Sequence, residues 1–210
     1  MSLLRLDFSL FPDASAGAEI ADLVEAEWTA AHPGEPVVRR RPGTDPLPSD
    51  AWALATTAAS TPEPDRTAAQ REALALATRL AGELTGADAV VLAAPLYNYG
   101  VSQHFKTWVD LVITGAGGPN PILEGTPTVL VTVRGGGYGP GAPRHGWDHS
   151  TAYLTRILAD VFRADLTVIE RELTLAATTP GMEALRDEAS RIHKEALAAA
   201  RTTSLTPTAG

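Results

Sequence analysis

No cysteine occurs in the 210 residues, which excludes disulfides, thiolate nucleophiles and cysteine-ligated zinc. Long apolar runs are missing as well. None approaches the roughly 20 residues a helix needs to span a bilayer, and the N-terminus carries no charged-then-apolar leader pattern. The expectation is a soluble, cytoplasmic chain with no membrane partner. Basic charge is scarce: lysine occurs only at 106 and 194, and 17 basic against 25 acidic residues leave a formal charge of −8. That balance is the opposite of the basic face a nucleic-acid partner requires. An anionic ligand would have to be held by local backbone donors or a helix end, against the global field. His145, Asp148 and His149 stand close together around Gly146, but no second cluster supports them, so no metal site is expected.

What the chain does have is an alternation of strands and helices. Hydrophobic content of 44% is ordinary for a globular protein, and the length suits one α/β domain over residues 1–201, with 202–210 as a flexible tail. Strands are expected at Leu3 to Phe8, Pro36 to Arg40, Ala89 to Ala94, Thr128 to Val133 and Leu166 to Ile169. Helical stripes run from Ala18 to Ala31, Thr67 to Leu84, Ser102 to Ile113, Asp148 to Phe162 and Met182 to Ala200. Arg41 to Asp65, rich in proline, reads as a long loop with one helical turn near Trp52. Five parallel strands with helices between them give a doubly wound sheet covered on both faces.

Chemistry gathers where three strands end. The unbroken run Ala89 to Ala94 reads as a strand buried on both faces, and Pro95-Leu96-Tyr97-Asn98-Tyr99-Gly100 leaves its carboxyl end. Ligands of open parallel sheets sit at such exits. Tyrosines flanking an amide suit a flat ring with a polar edge. Ser9 to Gly17 offers Ser9, Ser15 and the amides of Ala16 and Gly17 at a helix start, a setting that accepts a phosphate monoester, although Ser15 taken alone reads first as an ordinary N-cap. Arg134 to Gly141 supplies glycines that let backbone approach a ring edge. Phosphate at one end, a ring between and backbone donors opposite describe a flavin mononucleotide site. The Gly137-x-Gly139-x-x-Ala142 spacing is a poor dinucleotide fingerprint, because Pro140 and Pro143 interrupt it. Arg39 to Arg41 could contact a nucleotide phosphate, with a solvated strand end as the default reading.

These residues resemble the FMN-dependent NADH azoreductases and related quinone reductases, a family of flavodoxin-like fold. Pro95 to Tyr99, with Phe105-Lys106 and Asp110 after it, is similar to the family's Pro-Met-Tyr-Asn-Phe turn and following helix. Thr132-Val133-Arg134-Gly135-Gly136 is similar to its Ser-Arg-Gly-Gly loop, Ser9 and Ser15 fall on serines of its phosphate loop, and Trp28 on a tryptophan of its first helix. The resemblance covers nearly the whole chain. It implies strand order 2-1-3-4-5 and FMN as cofactor, with phosphate held by Ser9, Ser15, Ala16 and Gly17. It implies that Pro95, Leu96, Tyr97, Asn98 and Tyr99 line the ring, with Val133, Arg134, Gly135 and Gly136 closing the other side. It further implies a homodimer with active sites at the interface, and ping-pong hydride transfer from NAD(P)H to quinones, azo compounds or other aromatic acceptors.

Asn98, Tyr99, Tyr138 and His145 are the candidate substrate contacts. No side chain is assigned as a catalytic acid, base or nucleophile, since a flavin carries the chemistry. Two departures stand out: Gly17 replaces the family's second phosphate-loop serine, and the Gly115 to Pro127 loop is short and lacks the family's aromatic segment. That loop motivates an alternative, an FMN enzyme dedicated to one specialised metabolite. A non-catalytic flavodoxin-like carrier or scaffold is the alternative from another class.

Overall fold

The computed structural model describes residues 1–11 and 15–205. Its centre is a five-stranded, all-parallel sheet in the order β2-β1-β3-β4-β5. The strands are β1 Leu3–Asp7, β2 Val37–Arg40, β3 Ala89–Ala93, β4 Pro127–Val133 and β5 Asp165–Arg171. β1, β3 and β4 are buried at every position, as expected of strands covered on both faces. The edge strands β2 and β5 are half-buried to exposed, with Ile169 of β5 their one buried residue.

Side-chain alternation sorts the core into two layers. Leu4, Leu6, Val90, Leu92 and Leu130 point to one face. There they meet α2 (Ala51–Ser60), α3 (Ala68–Thr85), α4 (Gln103–Gly115) and α5 (Thr151–Thr155). Leu3, Val91, Val129, Val131 and Val133 point to the other, against α1 (Ala16–Ala31) and α6 (Arg186–Thr202). On the first face Phe8, Phe105 and Trp108 form an aromatic cluster with ring centroids 5.1–5.7 Å apart. It pins α4 beneath the exit of β1. Among the described residues no helix is long and apolar enough to cross a membrane.

Three expectations need correction. The segment after Arg41 is not one long loop, because α2 occupies ten residues of it. The prolines that suggested a loop lie at 42, 46, 48, 62 and 64, all outside the helix. Inside it, Ala51, Ala55 and Ala58 form a narrow buried stripe that permits close packing on α3 and α4. The helix expected from Asp148 starts only at Thr151, because the Asp148 carboxylate accepts the amides of Ser150 and Thr151 (2.8 and 2.9 Å) and forms an Asx turn. That helix widens into a π turn over Arg156–Val161. The C-terminal tail was expected from residue 202. Thr202 is instead the last residue of α6, and Leu205 is buried against the α1 and α6 layer; residues 206–210 lie outside the described residues.

Candidate active site

The exits of β1, β3 and β4 meet in one cleft of about 340 Å³. From β1 come Ser9, Ser15 and Ala16, from β3 Pro95, Leu96 and Tyr97, and from β4 Val133 and Gly135. Among the described residues no charged side chain lines it. A larger groove of about 660 Å³ runs beside Arg39 to Pro48 and α3, but it touches neither the tyrosine turn nor the glycine loop.

On the β1 side, Ser15 caps α1 by accepting the Ala18 amide at 3.1 Å. The first-turn amides of Ala16 and Gly17 have no intrahelical acceptors, as at any helix start. Pro12, Asp13 and Ala14, inside the expected phosphate loop, lie outside the described residues. Gly17 does not reach the cleft wall. It is the point where α1 rests on the sheet, with space for a Cβ at 3.6 Å from Val133 and 3.8 Å from Ala93.

On the β3 side, the Leu96 amide extends the sheet by donating to the Val133 carbonyl at 2.9 Å. The chain then reverses. Tyr97 and Gly100 exchange backbone hydrogen bonds of 3.3 and 3.0 Å, with Asn98 and Tyr99 between them at φ of +48° and +68°. Asparagine tolerates this region, whereas a tyrosine there is strained by about 1–2 kcal/mol. The turn aims Tyr97 back at the serine loop, where its phenolic oxygen accepts the Leu10 amide at 3.1 Å and lies 3.4 Å from Ser9 Oγ. Tyr99 points outward. It is held through its carbonyl, which accepts the His149 amide at 2.9 Å, and through edge contact with Trp147 at 5.6 Å.

On the β4 side, Arg134 is placed differently from the sequence expectation. The residue is 5% exposed and is not among those that wall the cleft. It donates to Asp148 at 2.6 Å, Glu172 at 3.1 Å and Thr151 Oγ1 at 2.8 Å, and pairs with Glu170 at 2.6 Å. Glu172 in turn accepts the amides of Tyr138 and Gly139 at 3.0 and 3.3 Å. Arg134 is therefore a strut for the glycine loop. The carbonyls of Arg134, Gly135 and Gly136 accept Thr174, Leu175 and Leu173 amides, while the Gly135 and Gly136 amides have no acceptor among the described residues. Burial works against the Asp148 charge, but donors from Thr151 and Ser150 and the Arg134 charge overcome it and hold the carboxyl below its ordinary value.

Of the expected site residues, Gly17, Arg134 and Gly136 do not line the cleft, and neither do Asn98, Tyr99, Tyr138 and His145. Asn98 and Tyr99 stand at its mouth, while Tyr138 and His145 lie in the loop beyond Gly136; His145 is exposed, its amide donating to Ala142. Asp148, weighed with His145 and His149 as a metal cluster, has its carboxylate occupied by Arg134, Ser150 and Thr151. Phe11, Thr174 and Leu175 also wall the cleft and were not anticipated. No sequence pattern marked them; in the structure Phe11 is 64% and Leu175 52% exposed.

The arrangement can take a flat ring between Tyr97, Leu96 and Gly135, with an anionic group at the α1 start. Its size falls within the range of small-molecule sites. The family model for the flavodoxin-like fold matches residues 1–197. An FMN-dependent NADH:quinone oxidoreductase of Frankia casuarinae is 37% identical over 204 residues, covering 95% of this chain and 96% of its own. An FMN-dependent NAD(P)H:quinone oxidoreductase 1 of Pseudomonas aeruginosa is 30% identical, covering 90% and 93%. The crystal structure of an azoreductase from Bacillus anthracis superposes with a TM-score of 0.76 at 22% identity, over 96% of this chain and 97% of that one. With its 2-1-3-4-5 sheet and near full-length match, this chain belongs to the flavodoxin-like fold family.

Proposed function

We propose that the chain is an FMN-dependent NAD(P)H:quinone oxidoreductase that also reduces azo and related aromatic acceptors. Residues 1–201 form the FMN-binding domain. FMN, when bound, supplies the electron chemistry between nicotinamide and acceptor. The chain binds, orients and shields. Ser9, Ser15 and the Ala16 and Gly17 amides hold the phosphate; Pro95, Leu96, Tyr97 and Val133 wall the ring; the free Gly135 and Gly136 amides face its polar edge. Arg134 holds that loop in place through Glu172. Asn98 and Tyr99 contact the substrate at the mouth, where nicotinamide and acceptor take turns. Among the described residues no charged side chain walls the cleft, and we assign the protons to solvent.

The observation that carries this reading is the convergence of three strand exits on one cleft, tied together by the Tyr97 phenol on the serine loop. Phe11 and Leu175 are exposed on the cleft wall, and Tyr99, which follows Tyr97, packs on exposed Trp147; such exposed apolar surface supports a homodimer closing both sites at the interface. We place the enzyme in the cytoplasm. Steady-state NADH oxidation with menadione or an azo dye tests the function. FMN-loaded protein should turn both over with parallel-line kinetics. Rates no higher than those of free FMN would reject it, and slow turnover of both acceptors by FMN-loaded protein would point to a dedicated enzyme.

Two substitutions probe the site. Gly17→Ser adds a Cβ that fits but is directed at the Val133 and Ala93 side chains, 3.6 and 3.8 Å away, and not at the cleft. FMN affinity should therefore change by less than about twofold in a fluorescence titration, while burying the hydroxyl against the sheet costs about 1 kcal/mol of stability. Tyr99→Gly relieves the positive φ but loses the Trp147 contact. Stability in urea should stay within about 1 kcal/mol, while the quinone KM rises severalfold.

A further inference from the structure

We propose that Arg41 is the cationic partner of the phosphate group, a component that neither the serine loop nor the helix start supplies. The inference rests on the FMN reading above. Behind the cleft lies a second cavity of about 170 Å³, which shares Ser9 and Ser15 with it and is closed by Arg5, Asp7, Asp22, Arg41 and Thr44. The two serines thus form a partition between the ring cleft and an arginine-bearing chamber.

Of the two arginines there, one is consumed. Arg5 is 4% exposed and donates to Asp7 at 3.1 Å, to Asp22, and to Glu25 at 3.2 Å. Glu25 also takes Arg39. Three carboxylates, Asp7, Asp22 and Glu25, thus share two arginines, Arg5 and Arg39. Arg41 has no side-chain hydrogen bond or ion pair among the described residues.

Its place is set by backbone. The Gly43 amide donates to the Asp7 carbonyl at 3.2 Å, and a Cβ at Gly43 would fall 2.1 Å from the Ser9 carbonyl oxygen. The loop after β2 is thus pressed onto the exit of β1. The Thr44 and Asp45 amides close a turn on the Arg41 carbonyl at 3.0 and 2.7 Å. A phosphate at Ser9 and Ser15 is dianionic in a chain of charge −8, and the donors at α1 are neutral. Charge-assisted bonds from guanidinium to phosphate are about twice as strong as neutral ones, and Arg41 is the arginine beside those serines still available to make them.

The test compares FMN with riboflavin, which has the same ring and no phosphate, in fluorescence titrations of the full chain with Arg41→Ala and Arg41→Lys. Arg41→Ala should weaken FMN by about tenfold or more and riboflavin by less than about twofold, with Arg41→Lys in between. The salt dependence of FMN affinity should flatten in Arg41→Ala. FMN affinity unchanged in Arg41→Ala, or FMN and riboflavin weakened equally, overturns the assignment while leaving the flavin site standing. Failure of the unsubstituted chain to bind either flavin overturns both.

Discussion

Arg134→Ala will destabilise the protein by about 3 kcal/mol, a fall in Tm of roughly 6–12 °C for a chain of this size, and will abolish tight flavin binding. The side chain is almost fully buried and is the shared cation of Asp148, Glu170 and Glu172. Removing it leaves those carboxylates facing a cavity without a cation, and Asp148 and Glu172 are themselves largely buried. Glu172 then loses the partner that fixes it against the Tyr138 and Gly139 amides, so the glycine loop moves. Arg134→Lys should rescue little, because one ammonium cannot span partners that occupy Nε, Nη1 and Nη2 of a planar fork. The pH dependence has a definite sign. The Asp148 pKa is depressed in the folded state, so its contribution is present above its unfolded value and lost as pH falls through the folded one. The stability gap between wild type and Arg134→Ala therefore narrows below about pH 4. Thermal melts at pH 7 and pH 3.5 check both parts.

Gly43→Ala will be the most damaging methyl addition near the site. The new carbon would lie 2.1 Å from the Ser9 carbonyl oxygen, 2.6 Å from the Ser9 carbonyl carbon and 2.8 Å from that of Phe8. All three are backbone atoms and cannot rotate away. The loop after β2 must lift, breaking the Gly43 to Asp7 bond, at a cost of about 1–3 kcal/mol or more. Ser9 shifts with it, and its contact with the Tyr97 phenol goes too, so FMN affinity should fall by about tenfold. Gly82→Ala provides the contrast. It lies mid-helix in α3 with nothing within 4 Å of a new Cβ, and the same change there should stabilise by about 1 kcal/mol. Chemical denaturation of the two variants should give shifts of opposite sign.

Much of the fold was legible because its signals are local. The runs in β1, β3 and β4 are apolar throughout, so their burial on both faces follows from composition alone. The tyrosine turn announced itself by residue type and by its place after β3. Strand order came from family resemblance, since periodicity does not encode which strands are neighbours. What stayed hidden depends on distant residues. Arg134 looked like a ring contact because nothing nearby in the chain revealed Glu172, 38 residues on, as its partner. Leu175 walls the cleft only because its amide folds back onto the Gly135 carbonyl. α2 was masked by prolines that flank it without entering it, and its alanine stripe gives a weak amphipathic signal. Gly43 showed the same limit: its lack of a side chain matters through contact with Ser9, which the sequence separates from it by a whole helix and a strand.

The most direct test of the account is an absorbance titration of the purified chain with FMN, followed by NADH and then a quinone. The account predicts saturation at one FMN per chain with shifted flavin bands, bleaching by NADH, and recovery of colour on adding quinone. Flavin bands identical to those of free FMN, with the dye passing off the protein on a desalting column, would contradict it.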